Sequence, residues 1–257
     1  MQFAGKVVLI TGASSGIGAA TAKYLGSLGA SLALSGRNVD NLNKIASECV
    51  LPNNTPKPFI VTGELTDERD TKAILDKTIE HYGKLDVLVN NAGVIETGSI
   101  ENTSLDQFDR MMNINVRCIY HLTTLAVPHL VKTKGNIVNV SSVNGIRSFP
   151  GVLAYCVSKA AVDQFTRCVA LDLAPKQVRV NSVNPGVTIT NLHKRGGMNE
   201  EQYKQFLQRT KDTHALGRPG DATEVAQAIA YLASDAASFI TGTSMPVDGG
   251  RHAMCPR

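Results

Sequence analysis

The chain contains no tryptophan, and aromatic residues make up only 5% of its 257 positions. With so few aromatics, and no RNP-like aromatic strand, it offers no stacking platform for nucleic-acid bases. Lys and Arg number 26 against 22 Asp and Glu, and they are scattered along the chain with no basic run. A net charge of +4 and a pI near 8.8 therefore suit a protein that binds an anionic small molecule better than one that binds a polyanion. Cysteine is also scarce. The five cysteines are odd in number and none has CxxC spacing, which excludes a disulfide framework and a zinc site and points to a reducing compartment. The six histidines show no ligand spacing, so no metal is expected.

Long apolar runs are missing as well. The run at 7–10 is too short for the core of a signal peptide, and nothing reaches the length of a membrane span. Cys255-Pro256-Arg257 matches neither a peroxisomal tripeptide nor a prenylation box. A cytoplasmic protein is expected, with the glycosylation sequons at Asn53 and Asn102 unused. There is no internal repeat, low-complexity tract or linker-like shift in composition, so 1–257 is expected to form a single domain.

What the chain does have is alternation. Short β-branched runs at 6–11, 31–35, 59–62, 87–90, 136–140 and 178–183 read as buried strands. Helical stretches beginning near Gly16, Val39, Asp67, Leu105 and Ala154 separate them, which is the signature of parallel βαβ units and an α/β fold. Ser104 with Gln107, and Asp221 with Glu224, are spaced as capping boxes. One segment breaks the rhythm. At 187–216 a polar, charged insertion follows Pro185-Gly186, with Gly196-Gly197 inside it and a helical stretch near 200–209. At the carboxyl end of a strand, such an insertion is either a substrate loop or a surface loop with no role.

The first strand runs directly into Thr11-Gly12-Ala13-Ser14-Ser15-Gly16-Ile17-Gly18 and then a helix, the context of a dinucleotide phosphate site. Gly12 and Gly16 permit a tight turn, and Gly18 permits close helix–sheet packing. After the second strand comes Gly36-Arg37 with no acid. An acid there would hold ribose hydroxyls, whereas a guanidinium pairs with a 2′-phosphate, so NADP(H) is the expected cofactor. The other reading of Arg37 is a solvated surface residue.

Asn90-Asn91-Ala92-Gly93 closes the fourth strand, where its backbone would border a cofactor, and Asn115 lies in a helical stretch. Tyr155 and Lys159 are four residues apart and so share a helix face, and Ser142 follows a strand. A free phenol has a pKa near ~10. An adjacent ammonium, together with the positive charge of an oxidised nicotinamide, is expected to bring Tyr155 down toward neutral pH.

Together these motifs resemble the classical short-chain dehydrogenase/reductase family, and within it the 3-oxoacyl-carrier-protein reductase-like and carbonyl reductase-like members. The resemblance runs from Lys6 to about Gly250. It implies a single Rossmann-type domain, a doubly wound, mainly parallel sheet of seven strands in the order 3-2-1-4-5-6-7 with helices on both faces. The dinucleotide-binding part would span 6–183 and the substrate insertion 187–216. Asn115, Ser142, Tyr155 and Lys159 match the catalytic tetrad. The cofactor contacts carried over are Gly12, Ser14, Ser15, Gly16, Ile17, Gly18, Arg37, Asn91, Ala92, Gly93, Tyr155, Lys159, Pro185, Gly186, Thr188 and Thr190, with Glu64 and Leu65 standing where the family commonly has an acid (Asp) that contacts adenine.

The resemblance further implies hydride transfer between NADP(H) and a carbonyl or alcohol carbon. In it Tyr155 moves the proton, Ser142 steadies the oxygen, Lys159 binds the ribose, and Asn115 holds a water that links Lys159 to solvent. A homotetramer or dimer is expected, with a small-molecule substrate and neither nucleic acid nor membrane as partner. The competing reading is a catalytically silent NADP-binding sensor or scaffold, against which the complete tetrad argues.

Overall fold

A computed structural model of the chain describes residues 2–52 and 54–255. The sequon residue Asn53 and the terminal Pro256-Arg257 lie outside the described residues. In chain order the elements are β1 (Val7–Thr11), α1 (Gly16–Ser27), β2 (Ser31–Gly36), α2 (Val39–Glu48), β3 (Phe59–Thr62), α3 (Glu68–Tyr82) and β4 (Val87–Asn90). Next come α4 (Leu105–Met112), α5 (Cys118–Thr133), β5 (Asn136–Val140), α6 (Val143–Ile146), α7 (Leu153–Leu173) and β6 (Arg179–Pro185). The chain then runs through α8 (Leu192–Arg195), α9 (Glu200–Gln208), α10 (Thr210–Thr213), α11 (Ala222–Ala233) and β7 (Ser244–Val247).

The strands form one seven-stranded sheet in the order β3-β2-β1-β4-β5-β6-β7, and every pairing is parallel. Parallel strands covered on both faces must be apolar on both, and their residues alternate between two cores. Val8, Ile10, Val87, Val89 and Val138 pack with Leu25, Leu42 and Ile229 on one face. Leu9, Leu88 and Ile137 pack with Ile74, Leu122 and Leu130 on the other. The six strands expected from the sequence are present. β7 carries Pro246 and lies at the sheet edge, where a residue without an N–H is tolerated.

Asp221 and Glu224 form the expected reciprocal cap of α11. The other expected capping box is only half made. Ser104 Oγ accepts from Gln107 N at 3.2 Å, but the Gln107 amide donates to Thr97 O at 2.8 Å and does not turn back to Ser104. No helix among the described residues is long and apolar enough to cross a membrane.

Candidate active site at the carboxyl ends of the strands

All seven strands point the same way, so the loops that follow them share one edge of the sheet. The order reverses direction between β1 and β4, leaving a crevice there. A cavity of about 540 Å³ occupies this edge, lined by residues from the glycine turn, from the ends of β2, β4, β5 and β6, and from 187–216.

At the glycine turn the backbone is left-handed at Gly12 (φ 64°) and Gly16 (φ 57°). Ser15 precedes α1 in an extended conformation and makes no side-chain cap, so the first N–H groups of the helix remain available to an anion. Any side chain at Gly18 would overlap the Gly12 carbonyl oxygen and the Asn91 amide. The Asn91 amide braces the turn, donating to Thr11 O at 2.8 Å and Gly12 O at 3.2 Å. Thr11 Oγ1 answers by accepting from Asn91 N and Ala92 N. Asn91 thereby locks β4 to β1, while Ala92 and Gly93 form the adjoining wall. An uncapped helix end behind a turn where side chains have no room fits a dinucleotide pyrophosphate.

Past Gly36, the Arg37 side chain is 75% exposed and its Nη1 donates to Glu64 Oε2 at 3.2 Å. Glu64 Oε1 accepts from Thr66 N at 3.2 Å. Both carboxylate oxygens of Glu64 thus have partners within the protein. Leu65 lines the same end of the cavity, and so does Ser35, whose buried Oγ has no hydrogen-bond partner.

Ser142, Tyr155 and Lys159 converge, buried, at the ends of β5 and α7. Ser142 caps α6, its Oγ accepting from Asn144 N at 3.1 Å. Lys159 Nζ donates to Val140 O at 2.9 Å and stands 5.7 Å from the centre of the Tyr155 ring. The expectation that the lysine brings the phenol toward neutral pH is not met by the protein's own groups. Burial pushes Tyr155 up to about 12, opposed by a hydrogen bond with Ser142. Burial also brings Lys159 down to about 8, with the negative charge of Asp163 pulling the other way. For the phenol, the cost of burying its charged form outweighs what opposes it.

Asn115 lies in a π-helical turn, Asn113–Arg117, between α4 and α5. Its side chain is fully buried and clamped to Val94, accepting from Val94 N and donating to Val94 O, both at 2.9 Å. It also donates to Ser158 Oγ at 3.1 Å. It does not touch Lys159. A Cβ at Gly93 would lie 3.2 Å from Asn115 Oδ1 and 3.6 Å from Lys159 Nζ, so the glycine keeps open the space between them.

Pro185 ends β6, and Gly186 has no room for a side chain between His214 Nε2 and Asp248. Thr188 Oγ1 donates to Gly186 O at 3.2 Å. Thr190 touches the glycine turn, since a Cβ on Gly16 would meet its methyl group at 3.2 Å. Tyr203 of α9 pins Thr190, its hydroxyl donating to Thr190 O and accepting from Thr190 N.

Three groups of residues around the site were not legible in the sequence. Asp163 lies one turn after Lys159 on α7, buried and accepting from Asn184 Nδ2 at 2.8 Å and Ser182 Oγ at 3.1 Å. Asn184 in turn donates to Ser142 O at 2.8 Å, so the carboxylate braces the serine from behind. Burial raises the Asp163 carboxyl, against the hydrogen bonds it accepts from Asn184 and Ser182. The i, i+4 spacing to Lys159 was the available signal. Of the two histidines in the insertion, His214 is buried behind the cavity wall and its Nε2 accepts from Val187 N at 3.1 Å. His193 lines the cavity beside Phe206, and burial lowers it to about 4, aided by the charge of Arg251. Phe149, Met198 and Arg251 complete this mouth from three separate parts of the chain.

Comparison with known proteins agrees with this geometry. The profile of the family described as Enoyl-(Acyl carrier protein) reductase matches residues 12–252. The chain is 39% identical over 253 residues to a meso-2,3-butanediol dehydrogenase of Serratia marcescens, an alignment covering 98% of this chain and 97% of that one. It is 37% identical to a 3-oxoacyl-[acyl-carrier-protein] reductase of Thermotoga maritima, covering 97% and 99%. The crystal structure of a short-chain dehydrogenase/reductase of unknown function from Caenorhabditis elegans, solved with cofactor, superposes with a TM-score of 0.92 at 34% identity, covering 99% and 98%. The two sequence relatives are enzymes, and they lend no support to a silent sensor. A nicotinamide-type cleft at the switch point of a seven-stranded parallel sheet, with these relatives over nearly the whole length, places the chain in the classical short-chain dehydrogenase/reductase family of oxidoreductases acting on alcohols and carbonyls.

Proposed function

We propose that the protein is an NADP(H)-dependent carbonyl reductase or secondary-alcohol dehydrogenase, with Tyr155 as its general acid and base. The observation that carries this reading is the buried meeting of Tyr155, Ser142 and Lys159 at the cavity wall, beside the Ala92-Gly93 backbone and the Pro185-Gly186 turn. A bound nicotinamide supplies the hydride. The chain supplies the rest. The Tyr155 hydroxyl gives its proton to the carbonyl oxygen, and Ser142 donates a hydrogen bond to the same oxygen. Lys159, anchored on Val140 O, orients the ribose and carries positive charge near the phenol. Asn115 holds the Val94 backbone, and a water in the space beside Gly93 links Lys159 to solvent.

With its pKa pushed up to about 12 by burial, Tyr155 keeps its proton at neutral pH, and the positive charges of Lys159 and of an oxidised nicotinamide have to bring it down for proton transfer. Reduction is the direction that suits NADPH. The segment 6–183 is then the dinucleotide-binding part, and 187–216 the substrate-facing insertion. Exposed apolar side chains on α5 and α7, Tyr120 at 60% and Leu171 at 76%, support a homo-oligomer, a tetramer or dimer. Five unpaired cysteines accord with the cytosol.

Cofactor choice rests on Arg37. A charge-assisted hydrogen bond to a 2′-phosphate is worth about 1.5–3 kcal/mol. Glu64 already holds that guanidinium, so the lower end of the range applies, which is a preference for NADPH over NADH of about tenfold. The double variant Gly36→Asp/Arg37→Ile should invert the preference, because an acid then meets the phosphate. Measuring kcat/KM with both cofactors decides it, and equal use of NADH and NADPH by the wild type would defeat the assignment.

A further inference from the structure

We infer that the substrate carries a carboxylate or similar anionic group, and that Arg251 is the residue that binds it. This deepens the proposed carbonyl reduction and rests on that reading. Arg251 follows Asp248-Gly249-Gly250, where both glycines are left-handed (φ 58° and 81°), and this double turn brings the side chain into the mouth of the cavity that holds Tyr155.

Among the described residues the guanidinium has no carboxylate within ion-pair distance and no hydrogen bond. Its Nε is buried and unpartnered. The nearest acid in sequence, Asp248, is already engaged. Its carboxylate accepts from Gly250 N at 3.0 Å and His252 N at 2.6 Å, and it meets the His252 ring at 3.0 Å. Arg251 is not loose, because its guanidinium carbon sits 4.5 Å from the centre of the Phe149 ring. A flat guanidinium stacked on an aromatic face keeps its edge free for a planar, two-oxygen partner.

The rest of the mouth, among the described residues, lacks an acid too. Glu64 is the sole carboxylate along the cavity, and it is paired with Arg37 at the opposite, nucleotide end. Phe149 lies under Arg251, His193 is close enough to feel its charge and packs on Phe206, and Met198 and an exposed second cation, Arg195, also line the cavity. Burial and Arg251 keep His193 neutral, so it can add a hydrogen bond but no competing charge. An unpaired, half-desolvated cation inside an apolar mouth is costly unless an anion joins it. The carbon chain of a keto acid would fill the apolar stretch, with its carbonyl at Tyr155 and its carboxylate at Arg251.

The test uses the cofactor-loaded enzyme with levulinate, with the keto acids longer by one and by two methylenes, and with the methyl ester of each. For at least one length the wild type should favour the acid over its ester by about tenfold or more in kcat/KM. Arg251→Met keeps the stem over Phe149 and removes the charge, and it should collapse that ratio to near one. Arg251→Gln serves as a second charge-free variant should Met not fold, and Arg251→Lys should restore part of the ratio. Equal use of acids and esters by the wild type, or a ratio unmoved in the charge-free variants, overturns the anion site while leaving the reductase reading standing. If neither acids nor esters turn over, the reductase reading is decided on a wider carbonyl panel, and the anion site is judged by melting temperature alone. A rise with the keto acids in the wild type but not in the Arg251 variants sustains it, and equal shifts refute it.

Discussion

Lys159 shows what a buried charge costs the fold. Its ammonium is buried, held by one carbonyl, and lowered by desolvation from an ordinary 10.5 to about 8. Between those values the unfolded chain binds the proton and the folded chain does not, so the contribution of this residue to stability rises with pH across the window from about 8 to 10.5. At neutral pH the buried charge therefore costs about 3 kcal/mol, at about 1.4 kcal/mol for each tenfold loss of proton affinity. Lys159→Met keeps the stem, removes the charge and frees Val140 O, a loss of about 1 kcal/mol. The variant should melt a few degrees higher than the wild type near neutral pH, while turnover and cofactor affinity both fall. Calorimetry beside steady-state kinetics checks this, and a lower melting temperature with unimpaired turnover would contradict it. The serine, tyrosine and lysine could be read from the sequence because their spacing along a strand end and one helix face is local. Asp163 was open to the same reading, one turn beyond Lys159, and was missed because a lone acid on a long helix looks like a solvated residue until Asn184 and Ser182 are seen to reach it from β6.

At the scale of elements, the junction of β1 with α1 has the least tolerance. Gly18 packs directly on the Gly12 carbonyl and the Asn91 amide, so even Ala would push α1 off the turn. Gly18→Ala should destabilise the fold by about 1–3 kcal/mol and weaken cofactor binding disproportionately. Chemical denaturation with and without NADPH reads both effects, and a fully stable variant with normal affinity would show that the turn has slack. The insertion carries a pH signature of its own. His193 is held at about 4 against an ordinary 6.5, so it adds stability above pH 6.5 that is lost as pH falls toward 4. The full loss is about 3 kcal/mol. His193→Phe, which cannot take up the proton, should lose less stability than the wild type between about pH 7.5 and about pH 4.5. Equal losses would place the histidine in solvent. Six strands were legible because buried parallel strands are short apolar runs. β7 was not, since Ser244-Met245-Pro246-Val247 has neither alternation nor a β-branched run, and Pro246 is admissible only because the strand is an edge. The mouth of the cavity was hidden for a different reason. Phe149, His193, Phe206 and Arg251 meet only after β5, the insertion and the segment beyond β7 are brought to one edge.

For the molecule as a whole, the parallel sheet and its two cores form the frame, and the candidate site gathers where its strands end. The glycine turn, Tyr155 and Arg251 come from sequence positions far apart, and the sheet order brings them into one cleft. The reductase reading depends on Tyr155 as the group that gives the carbonyl oxygen its proton. Reduction of a carbonyl panel, followed through loss of NADPH absorbance in wild type and Tyr155→Phe, tests it most directly. Removing one hydroxyl leaves the apolar ring in place, so melting temperature and NADPH affinity should change little, while turnover should fall by about a hundredfold or more. A folded Phe variant that binds NADPH and reduces the same substrates at near wild-type rates would contradict that role.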